Sequence, residues 1–201
     1  MRIIKIWNDA PAENQISEIA SAIENGDLVI LPTDSVYAIT CDALNIKAIN
    51  QLCKLKGLNP DKNHLSIICS DISMAAEYTR IGNEVFSLMK NNTPGAFTFI
   101  LPAGHQLPKA FKGRKVAGVR IPDSNVTRMV AERLGRPLLT TSIEFQDADH
   151  ARETELIAET YARSGIELIV DAGDGRDEYS TIIDCSGEEP EITRQGLGEL
   201  S

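Results

Sequence analysis

The 201-residue chain has only four cysteines, Cys41, Cys53, Cys69 and Cys185, and no two of them form a Cys-x-x-Cys pair. That spacing gives neither a disulfide framework nor a zinc site. The apolar surroundings of Cys53 and Cys69 mark them as reduced thiols that act as small hydrophobes. His64, His105 and His150 stand far apart without a metal-ligand pattern, so no structural metal is expected. No window approaches the roughly 20 apolar residues that span a bilayer, and the start MRIIKIWNDA lacks an apolar stretch of secretory length. The expectation is a soluble, cytoplasmic protein with no membrane partner. The P-loop, the dinucleotide fingerprint G-x-G-x-x-G, the nucleophile elbow G-x-S-x-G and the zinc motif H-E-x-x-H are all missing. Any nucleotide chemistry here runs without the familiar loops. Internal repeats, low-complexity tracts and long linkers are missing as well.

What is present suits a folded enzyme or binding domain. With 42% hydrophobic and 24% charged residues, the chain is long enough for one substantial core, and residues 1–201 are expected to form one domain. The net charge of −9 argues against a generally basic nucleic-acid binder, but it is unevenly spread. Residues 144–191 hold fifteen acids and three bases, against fourteen acids and seventeen bases elsewhere. Within the stretch KAFKGRKVAGVR (109–120) there are five bases and no acid. That run, with Lys112, Arg114 and Lys115 at its centre, is either a phosphate- or RNA-attracting segment or a solvated loop.

Periodicity places helices over 13–25, 46–56, 83–91, 125–134 and about 153–164. Gly26, Gly57 and Gly135 end the first, second and fourth of these, and Ser124 caps the start of the fourth. Strands are expected at DLVILP (27–32), LSIIC (65–69), FTFIL (97–101), VAGVRI (116–121), LLTTS (138–142), ELIVD (167–171), STIID (180–184) and EITR (191–194). Without a regular βαβ rhythm this is an α+β class, an α/β twisted mixed sheet with flanking helices. The glycine-rich loop 172–178 is either mobile or a plain surface turn.

Five apolar runs end in hydroxyl or basic residues: 29–43, 93–101, 117–123, 138–142 and 179–196. A strand that ends this way leaves the core and offers hydrogen-bond donors at its rim, so the five runs point to one polar cavity. Pro32 interrupts ladder pairing before Thr33, Asp34, Ser35 and Tyr37, which form either a ligand-holding turn or a structural one in which Asp34 bonds its own backbone. Lys54 and Lys56 close a helix, where they compensate its dipole or contact a phosphate. Of Thr140, Thr141 and Ser142, alternation sends at least one into the cavity. Arg120 and Arg194 each need a carboxylate or phosphate, supplied by a ligand or by an internal salt bridge.

In this order the segments PTDSVYAI, PGAFTFIL, VRIPD, TTS, STIID and RQG resemble the YrdC/YciO family, also called the threonylcarbamoyl-AMP synthase family, over about residues 12–197. The likeness is nearer to the YciO branch, in KNNTPGAFTFIL and in a TTS segment followed by no Asn. The resemblance implies a YrdC-like sheet around a positively charged concave cavity. It implies a nucleotidyltransferase that joins L-threonine, bicarbonate and ATP into threonylcarbamoyl-AMP, releasing pyrophosphate, for tRNA modification. ATP with Mg²⁺ would then be a substrate, and tRNA or double-stranded RNA a partner. By position, Thr33, Ser35, Tyr37, Arg120 and Ser180 would bind threonine. Lys56, Thr141, Ser142 and Arg194 would bind the nucleotide. Two positions depart from the family pattern: Leu58 stands where Lys-x-Arg has its arginine, and Glu144 where Ser-x-Asn has its asparagine. The first loses a cation and the second gains an anion near a triphosphate. The resemblance therefore also implies an alternative, a YciO-type RNA-binding protein with weak or no synthase activity.

Overall fold

Alternation along the strands sorts this chain's side chains onto two faces of a sheet. The computed structural model describes residues 1–59, 65–107, 111 and 113–201. Its strands are β1 (Arg2–Lys5), β2 (Val29–Leu31), β3 (Ala38–Asp42), β4 (Ser66–Ile68), β5 (Phe97–Pro102), β6 (Val116–Arg120), β7 (Leu138–Ser142), β8 (Leu168–Asp171), β9 (Thr181–Asp184) and β10 (Glu191–Arg194). The helices are α1 (Glu13–Glu24), α2 (Ile46–Leu55), α3 (Ile72–Tyr78), α4 (Asn83–Asn92), α5 (Asn125–Leu134), α6 (Ala148–Arg152) and α7 (Thr154–Thr160), with a 3₁₀ turn at Trp7–Asp9. Among the described residues, all ten strands join one sheet in the order β1-β8-β2-β3-β7-β4-β6-β5-β9-β10. Parallel pairs (β1 with β8, β2 with β8, β4 with β6, β5 with β9) mix with antiparallel ones. The expected mixed sheet with flanking helices is what forms.

One face of the sheet is mainly apolar. Phe97, Phe99 and Leu101 of β5, Ala117 and Val119 of β6, Leu139 of β7 and Ile183 of β9 lie in one core with Ile49 and Leu52 of α2. The opposite face is divided. Ile68 and Leu138 pack on it against Ile16, Ile19 and Ile23 of α1 and Val126 and Val130 of α5, forming a second core. Each such buried aliphatic side chain contributes roughly 2 kcal/mol. Two residues along the same strands, on the same face, stand Ser66 and Thr140. The helices cover the apolar part of this face, and the polar part is left uncovered.

Helix ends follow local chemistry. At the end of α2 the Gly57 amide donates to Lys54 O and the Leu58 amide to Cys53 O at 2.8 Å, with Gly57 at φ +60°. This is the Schellman arrangement, in which the residue after glycine turns an apolar side chain back to the helix. Leu58 does so, packing against the main core. The Ser124 hydroxyl accepts from the Thr127 amide to start α5, and Gly135 ends it.

Some elements differ from expectation. The strands β1 and β3 and the seven-residue α3 are additions to the elements expected, and α3 depends on Asp71, whose carboxylate accepts from the Met74 amide. Of the helix expected at about 153–164, α7 forms over Thr154–Thr160, and the further short helix α6 precedes it, the two separated by Glu153, which is extended (φ −89°, ψ 119°). Among the described residues, no helix is long and apolar enough to cross a membrane.

Candidate functional site

The uncovered half of the second face is the floor of a cavity of about 540 Å³, within the range usual for small-molecule sites. Val116 and Arg120 of β6, Thr98 and Ile100 of β5, Ser66 of β4, Thr140, Thr141 and Ser142 of β7, and Ile182 and Asp184 of β9 line it, with Ser180, Thr193 and Arg194. The register sets its two ends. Ser66 pairs with Thr140 and with Gly118, and Gly118 with Ile100, so these four share one rung, while Arg120 lies a further rung along β6. From Val116 to Arg120 is about 13 Å at 3.3 Å per residue. The cavity therefore has an arginine end and, across it, a hydroxyl end.

At the arginine end, Arg120 is only 5% exposed. Its Nη2 donates to Asp34 Oδ1 and to Ser35 Oγ, each at 2.9 Å, while Asp34 Oδ2 accepts from the Asp123 amide at 2.7 Å. Its Nε is buried and has no partner. Burial holds the Arg120 guanidinium below its ordinary range; Asp34 opposes this and Arg194 adds repulsion. Arg194 donates from Nη2 to Ser180 O at 2.7 Å and lies over the Tyr179 ring, 5.3 Å from its centroid. Burial lowers its pKa too. The Ser180 hydroxyl shares a 2.8 Å hydrogen bond with Thr98 Oγ1. Two guanidiniums converging on one hollow, one with an unused donor, form a receptor for an anion such as a carboxylate.

At the hydroxyl end, Thr140 is 6% exposed and its Oγ1 has no hydrogen-bond partner. Leaving such a group unpaired costs about 1–3 kcal/mol, which a ligand bond would offset. Glycine keeps the floor between the ends low. A Cβ on Gly118 would stand 2.4 Å from Ser66 Oγ and 3.3 Å from Thr98 Cγ2.

Of the residues singled out in the sequence, Arg120, Thr141, Ser142, Ser180 and Arg194 are brought to this cavity, and Ser35 reaches it through Arg120. Thr33 and Tyr37 face a neighbouring recess of about 280 Å³ instead. Thr33 Oγ1 donates to Val36 O and accepts from the Ser35 amide, and the Tyr37 hydroxyl donates to Gly173 O at 2.9 Å. Both serve their own turn and the 172–178 loop, which is further tied by Arg152 to Asp177 at 2.6 Å. Lys56 lies outside the lining, its Nζ 2.7 Å from Glu144 Oε1. Lys115 is exposed just before cavity-lining Val116, Arg114 precedes it, and Lys112 lies outside the described residues.

Sequence reading missed Ser66, Thr98, Gly118, Ile182, Asp184 and Thr193. Counting back by two from Arg120 or Ser142 along their strands finds Gly118, Val116 and Thr140; the partners on β4, β5 and β9 need the register. Asp34, read as a turn residue, is the carboxylate that holds Arg120. The lining charge is more balanced than the electropositive hollow expected: two arginines face one aspartate, and Arg120 is already paired. Among the described residues, no group of three or more His, Cys, Asp or Glu side chains is placed to hold a metal ion.

Comparison with known proteins gives a consistent picture. The family model Sua5_yciO_yrdC, described as "Telomere recombination", matches residues 21–196. The "Uncharacterized protein YciO" of Escherichia coli is 29% identical over 197 residues, 97% of this chain and 95% of the relative. The crystal structure of E. coli YciO superposes with a TM-score of 0.87 at 30% identity, covering 98% of this chain and 97% of that one. Pyrococcus abyssi Sua5, crystallised in complex with L-threonine, gives a TM-score of 0.84 at 27% identity, covering 98% of this chain and 58% of that one. The threonylcarbamoyl-AMP synthase of Bacillus subtilis is 28% identical over 186 residues, 90% of this chain and 53% of the relative. The chain thus spans little more than half the length of these last two proteins.

Proposed function

Because the chain belongs to the Sua5_yciO_yrdC family, we propose that its cavity holds L-threonine at the arginine end and an adenylate along the hydroxyl end, as a threonylcarbamoyl-AMP synthase-like site. The observation that carries this reading is the buried, unpartnered Nε of Arg120 in a cavity that also takes Ser180, Arg194 and the Thr140 and Ser142 hydroxyls. The relatives' names, a synthase and a Sua5 bound to L-threonine, supply the substrate class.

In this reading Arg120 and the Ser35 and Ser180 hydroxyls orient the threonine carboxylate. Threonine amine and bicarbonate combine, losing water, to a carbamate. A carbamate oxygen attacks the α-phosphorus of ATP, the α–β bond breaks, and pyrophosphate leaves. Arg194 neutralises charge at the reacting group, and the threonine held at Arg120 faces the nucleotide in the geometry attack requires. A tRNA or double-stranded RNA would meet the exposed Lys115 beside the cavity. The test is pyrophosphate release from ATP that depends on both threonine and bicarbonate, together with calorimetric titration of threonine. Binding of threonine that is lost in Arg120→Met supports the reading; the absence of both release and binding refutes it.

A further inference from the structure

Along one rung of the sheet the cavity floor changes chemistry from end to end. Thr140 pairs with Ser66, Ser66 with Gly118, Gly118 with Ile100 and Ile100 with Asp184, so these five stand side by side across β7, β4, β6, β5 and β9. All but Gly118 line the cavity. Hydroxyls hold one end of the rung, with the buried and unpartnered Thr140 Oγ1 outermost, and a carboxylate holds the other. Between them lie a bare glycine and an apolar side chain.

Asp184 is the one acid among the described residues of the lining. Its Oδ1 accepts from the Ser186 amide at 2.8 Å and from the Ser186 hydroxyl at 2.6 Å. The turn after β9 thereby orients the carboxylate and leaves its second oxygen outside the turn. An ionised carboxylate only accepts, so its ligand must donate, and its paired oxygens match a pair of adjacent hydroxyls. The vicinal diol of a ribose is such a donor, and an acidic side chain recognises it in dinucleotide sites. A phosphate is the wrong neighbour for this acid, and the geometry keeps it at a distance. Asp184 and Arg120 differ by two strand steps and two residues, roughly 12 Å between backbones at about 4.8 Å per strand and 3.3 Å per residue. Arg194 pairs with Ile182 and turns to Ser180 O, before the start of β9, whereas Asp184 stands at the end of that strand. The anionic part of a ligand therefore lies toward the two arginines and its sugar toward Asp184.

We propose that Asp184 binds the ribose 2′- and 3′-hydroxyls of the cavity's nucleotide and makes the site selective for ribonucleotides over deoxyribonucleotides. The nucleotide rests on the function proposed above; the demand for a diol rests on Asp184 and its rung. This selection acts on the sugar whatever the number of phosphates, so it serves ATP and an acyl adenylate alike.

The test titrates the full chain with adenosine, AMP and ATP and with the 2′-deoxy and 3′-deoxy form of each. Wild type, Asp184→Asn and Asp184→Ala are compared, with urea unfolding of each to check the fold; Asp184→Asn keeps an oxygen for the Ser186 turn. Removing a carboxylate also relieves repulsion of the phosphates, so the quantity read is the ratio of ribo to deoxy affinity, which that relief leaves unmoved. Wild type should bind each ribo form about tenfold more tightly than either deoxy form, the effect of losing one hydrogen bond to a charged group. Asp184→Ala should bring the ratio close to one and Asp184→Asn most of the way, while threonine affinity stays as in wild type. Equal affinity for ribo and deoxy forms in wild type overturns the diol subsite and leaves the nucleotide reading standing. A ribo preference that both variants retain overturns the assignment to Asp184. If adenosine shows the preference and the variants abolish it, but ATP gives no threonine-dependent pyrophosphate, the synthase reading falls and the diol subsite stands. If no nucleoside or nucleotide binds wild type, both fall.

Discussion

Arg120 and Asp34, 86 residues apart in sequence, meet at 2.9 Å at the arginine end of the cavity, and both are largely shielded from water. Removing one partner of such a pair strands a buried charge, whereas replacing both by apolar groups is often close to neutral. Asp34→Asn should lower the free energy of unfolding in urea by about 3 kcal/mol. The double variant Arg120→Met with Asp34→Leu should recover most of that loss and bind no threonine. A cost under about 1 kcal/mol for Asp34→Asn would place the pair among the weak surface bridges.

How much of this site was legible in the sequence follows from which interactions are local. Ser124 and Gly135 bound α5 through contacts within a few residues, and both were readable. The same holds for Gly57 at the end of α2, yet Leu58 shows the limit of reading by motif alone. Measured against a family pattern it is a missing cation; in the structure it is the apolar residue its helix terminus calls for. Arg120, Ser180 and Arg194 announced themselves as polar residues at strand ends. Their partners did not, because Asp34 and the Ser66–Gly118–Ile100 rung come together only through strand register, which no local spacing encodes. Tyr37 was placed by a motif-bearing turn alone; the structure sets its ring beneath the 172–178 loop, a contact that no local spacing encodes.

Gly118 offers a direct test of the cavity floor. Its missing Cβ leaves room for the Ser66 hydroxyl, which would otherwise be 2.4 Å away. Gly118→Ala should drive that hydroxyl upward into the cavity, costing about 1–3 kcal/mol of stability as overpacking does. Threonine and AMP titrations should show affinity reduced by about tenfold. Adding Ser66→Gly should restore the stability, since it removes the atom in conflict. If Gly118→Ala binds both ligands like wild type, the floor is not where they lie.

Alkaline stability should depend on Tyr37. Burial raises its phenol above the ordinary value, as it does for Tyr161. The unfolded chain ionises its tyrosines near pH 10, about the model-peptide value, while the folded chain keeps these protons to higher pH. Their contribution is therefore whole below about pH 10 and is lost as pH rises through the window above it. Tyrosinate absorbance should show the Tyr37 and Tyr161 phenols ionising late, together with unfolding. Tyr37→Phe should reduce the alkaline loss and, by deleting the bond to Gly173 O, cost about 1 kcal/mol at neutral pH.

The basic segment before β6 makes a prediction that separates RNA binding from small-molecule binding. RNA affinity that depends on phosphate contacts falls with salt, because each cation bound to a phosphate releases a counterion. Replacing Lys112, Arg114 and Lys115 by Ser should flatten the logarithmic salt slope for double-stranded RNA by about one per residue removed. Threonine binding should stay as in wild type, since Asp34, Ser35 and Thr98 hold Arg120 and Ser180 in place. An unchanged slope in the triple variant would show that the acidic chain meets RNA elsewhere or not at all, and the small-molecule reading of the cavity would then stand without it.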